Sequence, residues 1–382
     1  MTRTTRRRFL ISGGSAFAGS ALSSGALDVG AITGGKLTGA AIAGAALSGA
    51  PAFAADAPEW TTAAPESRGL DERAVADALD AGAALPSLRA LLCARDGVLV
   101  AERYYGGADA NGVRPINSAT KSVCSMLVGL ALRDGKLKSL DETVAQLLPE
   151  AIADAPDSPA ASITLRQILS GRTGLAHDPM RYRELITARP LVRHALTRPA
   201  EPVDPPGWSY NDAMVALVAP ILARAQGADL ATLAARQLFA PLGIERFDWE
   251  RDRDGHPLAP GGLALRPRDL LKLATLMADG GRWNGTPVLP EAWVADSLAP
   301  KGPATWRAAP MADIGYGYLW FTGRLHGQRV AWAWGYGAQY ALLAPDLKLV
   351  VVTSATAPPP AALPAQNAAV MALVGRLVQA AA

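Results

Sequence analysis

The sequence predicts an α/β (α+β) fold: an antiparallel sheet flanked by helices, with an inserted, mostly helical subdomain at about residues 136–310. Three observations carry that reading. Two short apolar runs, Leu88–Ala94 and Val98–Tyr105, are joined by Arg95-Asp96-Gly97, and Asp-Gly between strand-like runs signals a hairpin. Prolines break Leu140–Pro206 into short helical pieces. Strand-like runs return at Gly317–Thr322, Gln328–Trp334, Gln339–Leu343 and Leu347–Ser354. The early pair (about 86–106) and the late runs (about 315–355) are expected to share one sheet. A chain of 382 residues is long for a single core, so one large composite domain or two packed ones is expected.

Residues 1–54 read as a leader outside that domain, which then covers 55–382. Thr5-Arg6-Arg7-Arg8-Phe9-Leu10 precedes a weakly apolar Gly/Ala/Ser stretch that ends at Ala52-Phe53-Ala54, a pattern suited to signal peptidase. This resembles a twin-arginine export signal and implies a periplasmic or secreted product. A membrane anchor would need about 20 strongly apolar residues, and this stretch is diluted by glycine and serine and interrupted by Asp28. Beyond residue 54 there remain 32 basic and 33 acidic side chains. Such a near-neutral chain offers nothing to nucleic acid or to an anionic membrane, so a small-molecule partner is expected. Oligomeric state stays open.

The remaining elements follow from periodicity and caps. Asp71–Leu85 has helical spacing behind an N-cap-like Asp71. Ser118–Arg133 contains no proline and one glycine, with Gly135 placed as a stop, and reads as a buried helix with a polar start. Asp212–Ala225, Leu230–Leu238 and Pro267–Met277 read as further helices, and an Ala-rich one closes the chain at about Ala365–Ala381. Cys93 and Cys124 are too few for a disulfide scaffold or a Cys-rich zinc module, and in apolar segments they read as free buried thiols rather than a pair. Four histidines without His-Glu-x-x-His argue against a metalloprotease, and no Gly-x-Ser-x-Gly elbow supports an α/β-hydrolase. His177 could line a cleft or a loop surface and is given no role.

Three motifs carry candidate chemistry. In Ser118-Ala119-Thr120-Lys121 the amine can reach the hydroxyl one helical turn away, and a serine needs such a base to become a nucleophile. Ser118 also opens its helix, where free N–H groups favour a developing oxyanion. Chance is the rival reading, countered by the cost of a buried lysine without a partner. In Trp208-Ser209-Tyr210-Asn211-Asp212, Tyr210 could shuttle the proton as a phenolate beside Lys121, or could merely pack while Asp212 caps a helix. In Trp332-Ala333-Trp334-Gly335-Tyr336-Gly337-Ala338-Gln339-Tyr340, an edge strand could supply the second oxyanion N–H from Tyr336, or the glycines could mark only a tight turn.

Together, in this order, the motifs resemble the penicillin-recognising serine hydrolase superfamily of β-lactamases, DD-peptidases, esterases and 6-aminohexanoate-dimer hydrolases. Leu165–Leu175, Gly261–Lys272, Gly280–Val294 and Trp334–Pro345 resemble further family segments, the last in the style of the 6-aminohexanoate-dimer hydrolase and esterase branch. The resemblance implies a β-lactamase/transpeptidase-like fold and a cofactor-free, metal-free serine hydrolase acting on small esters or amides. It implies Ser118, Lys121 and Tyr210 as the catalytic set, and Tyr336, Asp212, Trp334, Gly335, Gly337 and Gln339 as oxyanion or substrate contacts. Two departures stand out. Asp212 replaces the amide expected to touch the acyl chain, and an aromatic or small residue near Trp334 replaces the cation that holds a substrate carboxylate. Losing that charge-assisted contact costs about 1.5–3 kcal/mol, which favours an uncharged acyl group over a β-lactam or D-Ala peptide. A non-catalytic module for cell-wall fragments remains the alternative from outside enzymes.

Overall fold

The computed structural model describes residues 60–175, 181–197, 207–306 and 309–382. The predicted leader and His177 lie outside the described residues. The hairpin forms as expected: β1 (Leu88–Arg95) pairs with β2 (Val98–Tyr104) across Asp96 and Gly97, both at positive φ (51° and 73°), as a primed two-residue turn requires. The late strands are β3 (Ala312–Tyr316), β4 (Phe321–Leu325), β5 (Gln328–Gly335), β6 (Gln339–Ala344) and β7 (Leu349–Ala355). All join one antiparallel sheet in the order β2-β1-β7-β6-β5-β4-β3, so the first strand, β1, pairs with the last, β7.

One expected strand is corrected. Gly317–Thr322 is a strand only from Phe321 onward, because Gly317–Trp320 turns between β3 and β4, with Leu319 at φ 60° and Gly317 N–H donating to the Trp320 carbonyl (2.8 Å). Nor is the third motif on an edge strand, since β5 lies between β6 and β4. Pairing with β4 nevertheless ends at Trp332–Phe321, which leaves Ala333–Gly335 bonded on one side only. The sheet interior therefore contains a local free edge.

Helix α1 (Glu72–Gly82) starts at the predicted cap, where Asp71 accepts from Ala74 N–H (3.0 Å). Helix α2 (Thr120–Arg133) is buried all round from Thr120 to Ala131, as its unbroken apolar run requires. Helices α3 (Asp212–Ala216) and α4 (Val218–Gln226) lie in the inserted region. Helix α5 (Pro267–Ala278), expected within the helical insertion, packs on β1, β6 and β7, and its Leu270, Leu271 and Ala274 are buried. Helix α6 (Leu363–Ala380) packs on α1 and β7. A short pairing of Arg114–Pro115 with Leu263–Leu265 ties the segment before Ser118 to the one after Pro260, reinforced by Ile116 N–H to Leu263 O (2.9 Å).

Candidate active site

Ser118 occupies a tight 3-10 turn, Asn117–Ala119, that precedes α2 rather than belonging to it. Asn117 enters that turn at φ 50°, a conformation asparagine tolerates better than most side chains. Its side-chain amide donates to the Tyr336 carbonyl (2.7 Å), and the Thr120 hydroxyl donates to the Asn117 carbonyl (2.6 Å). The unusual backbone is thus pinned from both sides, and the serine hydroxyl stays partly exposed.

Lys121, buried on the first turn of α2, donates to Ser118 Oγ (3.1 Å) and to the Pro260 carbonyl, and stands 2.7 Å from Asp212 Oδ1. Three acceptors match the three protons of an ammonium. An amine keeps two of these bonds, giving its N–H groups to Asp212 and Pro260 and turning its lone pair to Ser118. The Ser118–Lys121 direction is therefore the one along which a proton can move either way.

Asp212 corrects the sequence expectation. Its carboxylate faces Lys121 and is almost fully buried as the counter-ion, rather than meeting an acyl chain. The helix cap is Asn211 instead, accepting from Met214 N–H (3.1 Å) while its own amide donates to the Leu175 carbonyl (3.1 Å). This preserves the cap and frees the acid for the lysine.

Tyr210 shares a hydrogen bond with Ser118, and its ring lies 4.8 Å from Lys121 Nζ. Desolvation, then the Asp212 charge, hold its phenol well above the ordinary value of 10.0, against a weaker opposing effect of the Ser118 bond. The resting phenolate expected from sequence is therefore disfavoured. A neutral phenol is a proton donor.

The third motif reaches the site through its backbone. A Cβ on Gly335 would stand 2.1 Å from the Ile116 carbonyl, so only glycine lets β5 lie against the Ser118 turn. Tyr336 follows at the end of the free edge. Side chains alternate across a strand, so Trp334 points to the opposite face, where its ring meets Trp306 (4.6 Å between centroids). Gly337 (φ 83°) and Gln339 are supports rather than substrate contacts. Gln339 is buried, and its amide donates to the Gly337 (3.1 Å) and Ala355 carbonyls while its oxygen accepts from Ala355 N–H (3.2 Å).

Sequence reasoning missed four neighbours. The Pro260 carbonyl holds Lys121. Trp306 packs on Tyr210 at 5.8 Å. Tyr182 places its hydroxyl 2.5 Å from where a Gly261 Cβ would stand, and Tyr316 packs on Trp208 (5.4 Å). Burial pushes the Tyr182 and Tyr316 phenols up, and both also feel Lys121 and Asp212. The glycine pair after Pro260 was the one available signal. Cys93 and Cys124 are free and buried, each thiol pushed up to about 12 by burial.

A serine, a lysine and a phenol converging beside a free strand edge of an antiparallel sheet define a serine hydrolase with the β-lactamase/transpeptidase-like fold. The chain belongs to the Beta-lactamase family, whose model matches residues 72–376. It is similar to the 6-aminohexanoate-dimer hydrolase of Paenarthrobacter ureafaciens, with 24% identity over 227 residues, 55% of this chain and 57% of that one. The match thus spans little more than half the length of that relative. Among solved structures it resembles a penicillin-binding protein homologue from Caulobacter crescentus (TM-score 0.63, 15% identity, 84% of this chain and 99% of that one). It also resembles the D-amino acid amidase of Ochrobactrum anthropi SV3 solved with L-phenylalanine (TM-score 0.62, 18% identity, 81% and 97%).

Proposed function

We propose that the protein is an exported serine hydrolase that cleaves small uncharged esters or amides through an acyl-enzyme on Ser118. The observation that carries this reading is the double engagement of one hydroxyl: Lys121 Nζ lies 3.1 Å from Ser118 Oγ, and Tyr210 bonds to the same side chain. In the reacting form Lys121 is an amine. Ser118 Oγ gives its proton to Nζ as it attacks the substrate carbonyl, and Asp212 and the Pro260 carbonyl stabilise the resulting ammonium. The backbone N–H groups of Ser118 and Tyr336 are assigned to the oxyanion. Tyr210 donates its phenolic proton to the departing oxygen or nitrogen and is reset from Lys121. Water then attacks the acyl-enzyme, and Ser118 recovers its proton.

The hydrolase and amidase named among the relatives make a small amide as fitting a substrate as an ester. The absence of a cation from Ala333-Trp334-Gly335 favours an uncharged acyl group over a β-lactam or D-Ala peptide. Turnover of p-nitrophenyl butyrate, a matching anilide and nitrocefin tests this: ester or anilide hydrolysis abolished by Ser118→Ala supports the reading. Fast nitrocefin cleavage with little esterase activity would replace it with a β-lactamase. Saturable binding of cell-wall fragments without acylation would replace it with a binding module. Export through residues 1–54 predicts a processed N-terminus at Ala55 on protein recovered from the periplasm or medium. Unprocessed protein confined to the cytoplasm would refute it.

A further inference from the structure

A cavity of about 590 Å³ lies between the Trp334 face of the sheet and the start of α6. Trp306, Phe321, Trp332, Trp334, Tyr340 and Met371 are among the residues of its wall. Among the described residues lining it none is charged, so a carboxylate or ammonium placed there would lose its hydration without a counter-charge. Its volume falls within the range of about 300–1,000 Å³ typical of small-molecule sites. Neither Ser118 nor Tyr210 lines it. Trp306 connects the two places, because its ring packs on Tyr210 (5.8 Å) on one side and on Trp334 (4.6 Å) on the other. Trp306 stands where β5 has lost its β4 neighbour, at the free edge Ala333–Gly335.

We propose that this cavity receives the acyl half of the substrate, a bulky uncharged aryl or branched alkyl group, while its carbonyl stands at Ser118. The inference rests on the hydrolase reading above. That reading gives the leaving group to Tyr210, so the half that follows the free edge of β5 is the acyl half. Trp306 and Trp334 are then specificity residues, and the cavity supplies the apolar recognition that the missing cation cannot.

Ala368 lines the cavity from α6 and is exposed, so a larger side chain there intrudes without disturbing a packed core. The test compares p-nitrophenyl 4-phenylbutyrate with p-nitrophenyl acetate. Ala368→Trp is expected to lower the ratio of their kcat/KM values at least tenfold, with Ala368→Leu intermediate, and an unchanged ratio would overturn the proposal. In parallel, calorimetry follows 4-phenylbutyramide binding to Ser118→Ala with and without Ala368→Trp. Saturable binding weakened at least tenfold by the tryptophan supports the cavity even if neither ester is hydrolysed, in which case the hydrolase reading fails alone. Absent binding, or binding indifferent to residue 368, would overturn the cavity assignment.

Discussion

Lys121 and Lys272 are each about as buried as a charged side chain can be (3% and 4% exposed), and each stands beside a buried aspartate, Asp212 at 2.7 Å and Asp269 at 3.6 Å. Their surroundings differ in kind. Asp269 is held by two bonds from Arg266 (2.6 and 2.8 Å), and Lys272 donates to the Gly243 carbonyl (3.2 Å). A carboxylate, a guanidinium and a backbone carbonyl meet there and fasten α5 to the neighbouring loop. Lys121 has a carboxylate and a carbonyl too, but its third partner is a partly exposed hydroxyl that is also bonded to a phenol. Burial and ion pairing alone therefore do not mark a reactive lysine. A partner that can exchange a proton and meet a substrate does.

The comparison is broken most forcefully by exchanging each lysine for methionine. Each loses one member of a buried ion pair, so each is expected to lose about 3–5 kcal/mol of stability, read from denaturant midpoints. Only Lys121→Met should also lower kcat for a chromogenic ester, by about 10²–10⁴-fold. Equal kcat losses per folded molecule would erase the distinction. A smaller effect sharpens it: Asp212→Asn removes a charge-assisted contact worth about 1.5–3 kcal/mol, so ester turnover should fall roughly tenfold to a hundredfold.

Alkaline pH separates the phenol from the base. Because Tyr210 is held above 10.0, turnover should show no limb from its ionisation below about pH 10, in a pH–kcat profile of wild type against Tyr210→Phe. The sign for stability is the same. Above pH 10 the unfolded chain releases phenolic protons that buried Tyr210, Tyr182 and Tyr316 retain, so unfolding is favoured as pH rises from the unfolded value toward the folded one. An unchanged urea midpoint between pH 9 and 11 would contradict this. The smallest signal concerns the thiols: with both pushed to about 12, neither Cys93 nor Cys124 should react with iodoacetamide at pH 8 until the protein unfolds, as intact mass would show.

The legible parts were those written in local chemistry. Asp96-Gly97 specified the first hairpin, Asp71 capped α1, and the Ser118/Lys121 spacing put amine and hydroxyl in contact. What escaped the sequence was set by distant segments. Asp212 pairs with Lys121 because Asn211 takes the cap, a competition between adjacent acceptors that spacing does not decide. The Pro260 carbonyl arrives through the pairing of Arg114–Pro115 with Leu263–Leu265, and backbone acceptors leave no trace in residue type. The resemblance implied Trp334 as an oxyanion or substrate contact but not its face: Gly335 turns toward Ile116, so strand alternation sends the Trp334 indole the other way.

The most direct measurement is intact and peptide mass after treatment with a fluorophosphonate. In that reaction Ser118 Oγ bonds to phosphorus as fluoride leaves and the hydroxyl proton is lost to the neighbouring base. One adduct, mapped to the peptide bearing Ser118 and missing from Ser118→Ala, is the predicted result. An unlabelled wild type, or a label that survives in Ser118→Ala, would contradict it.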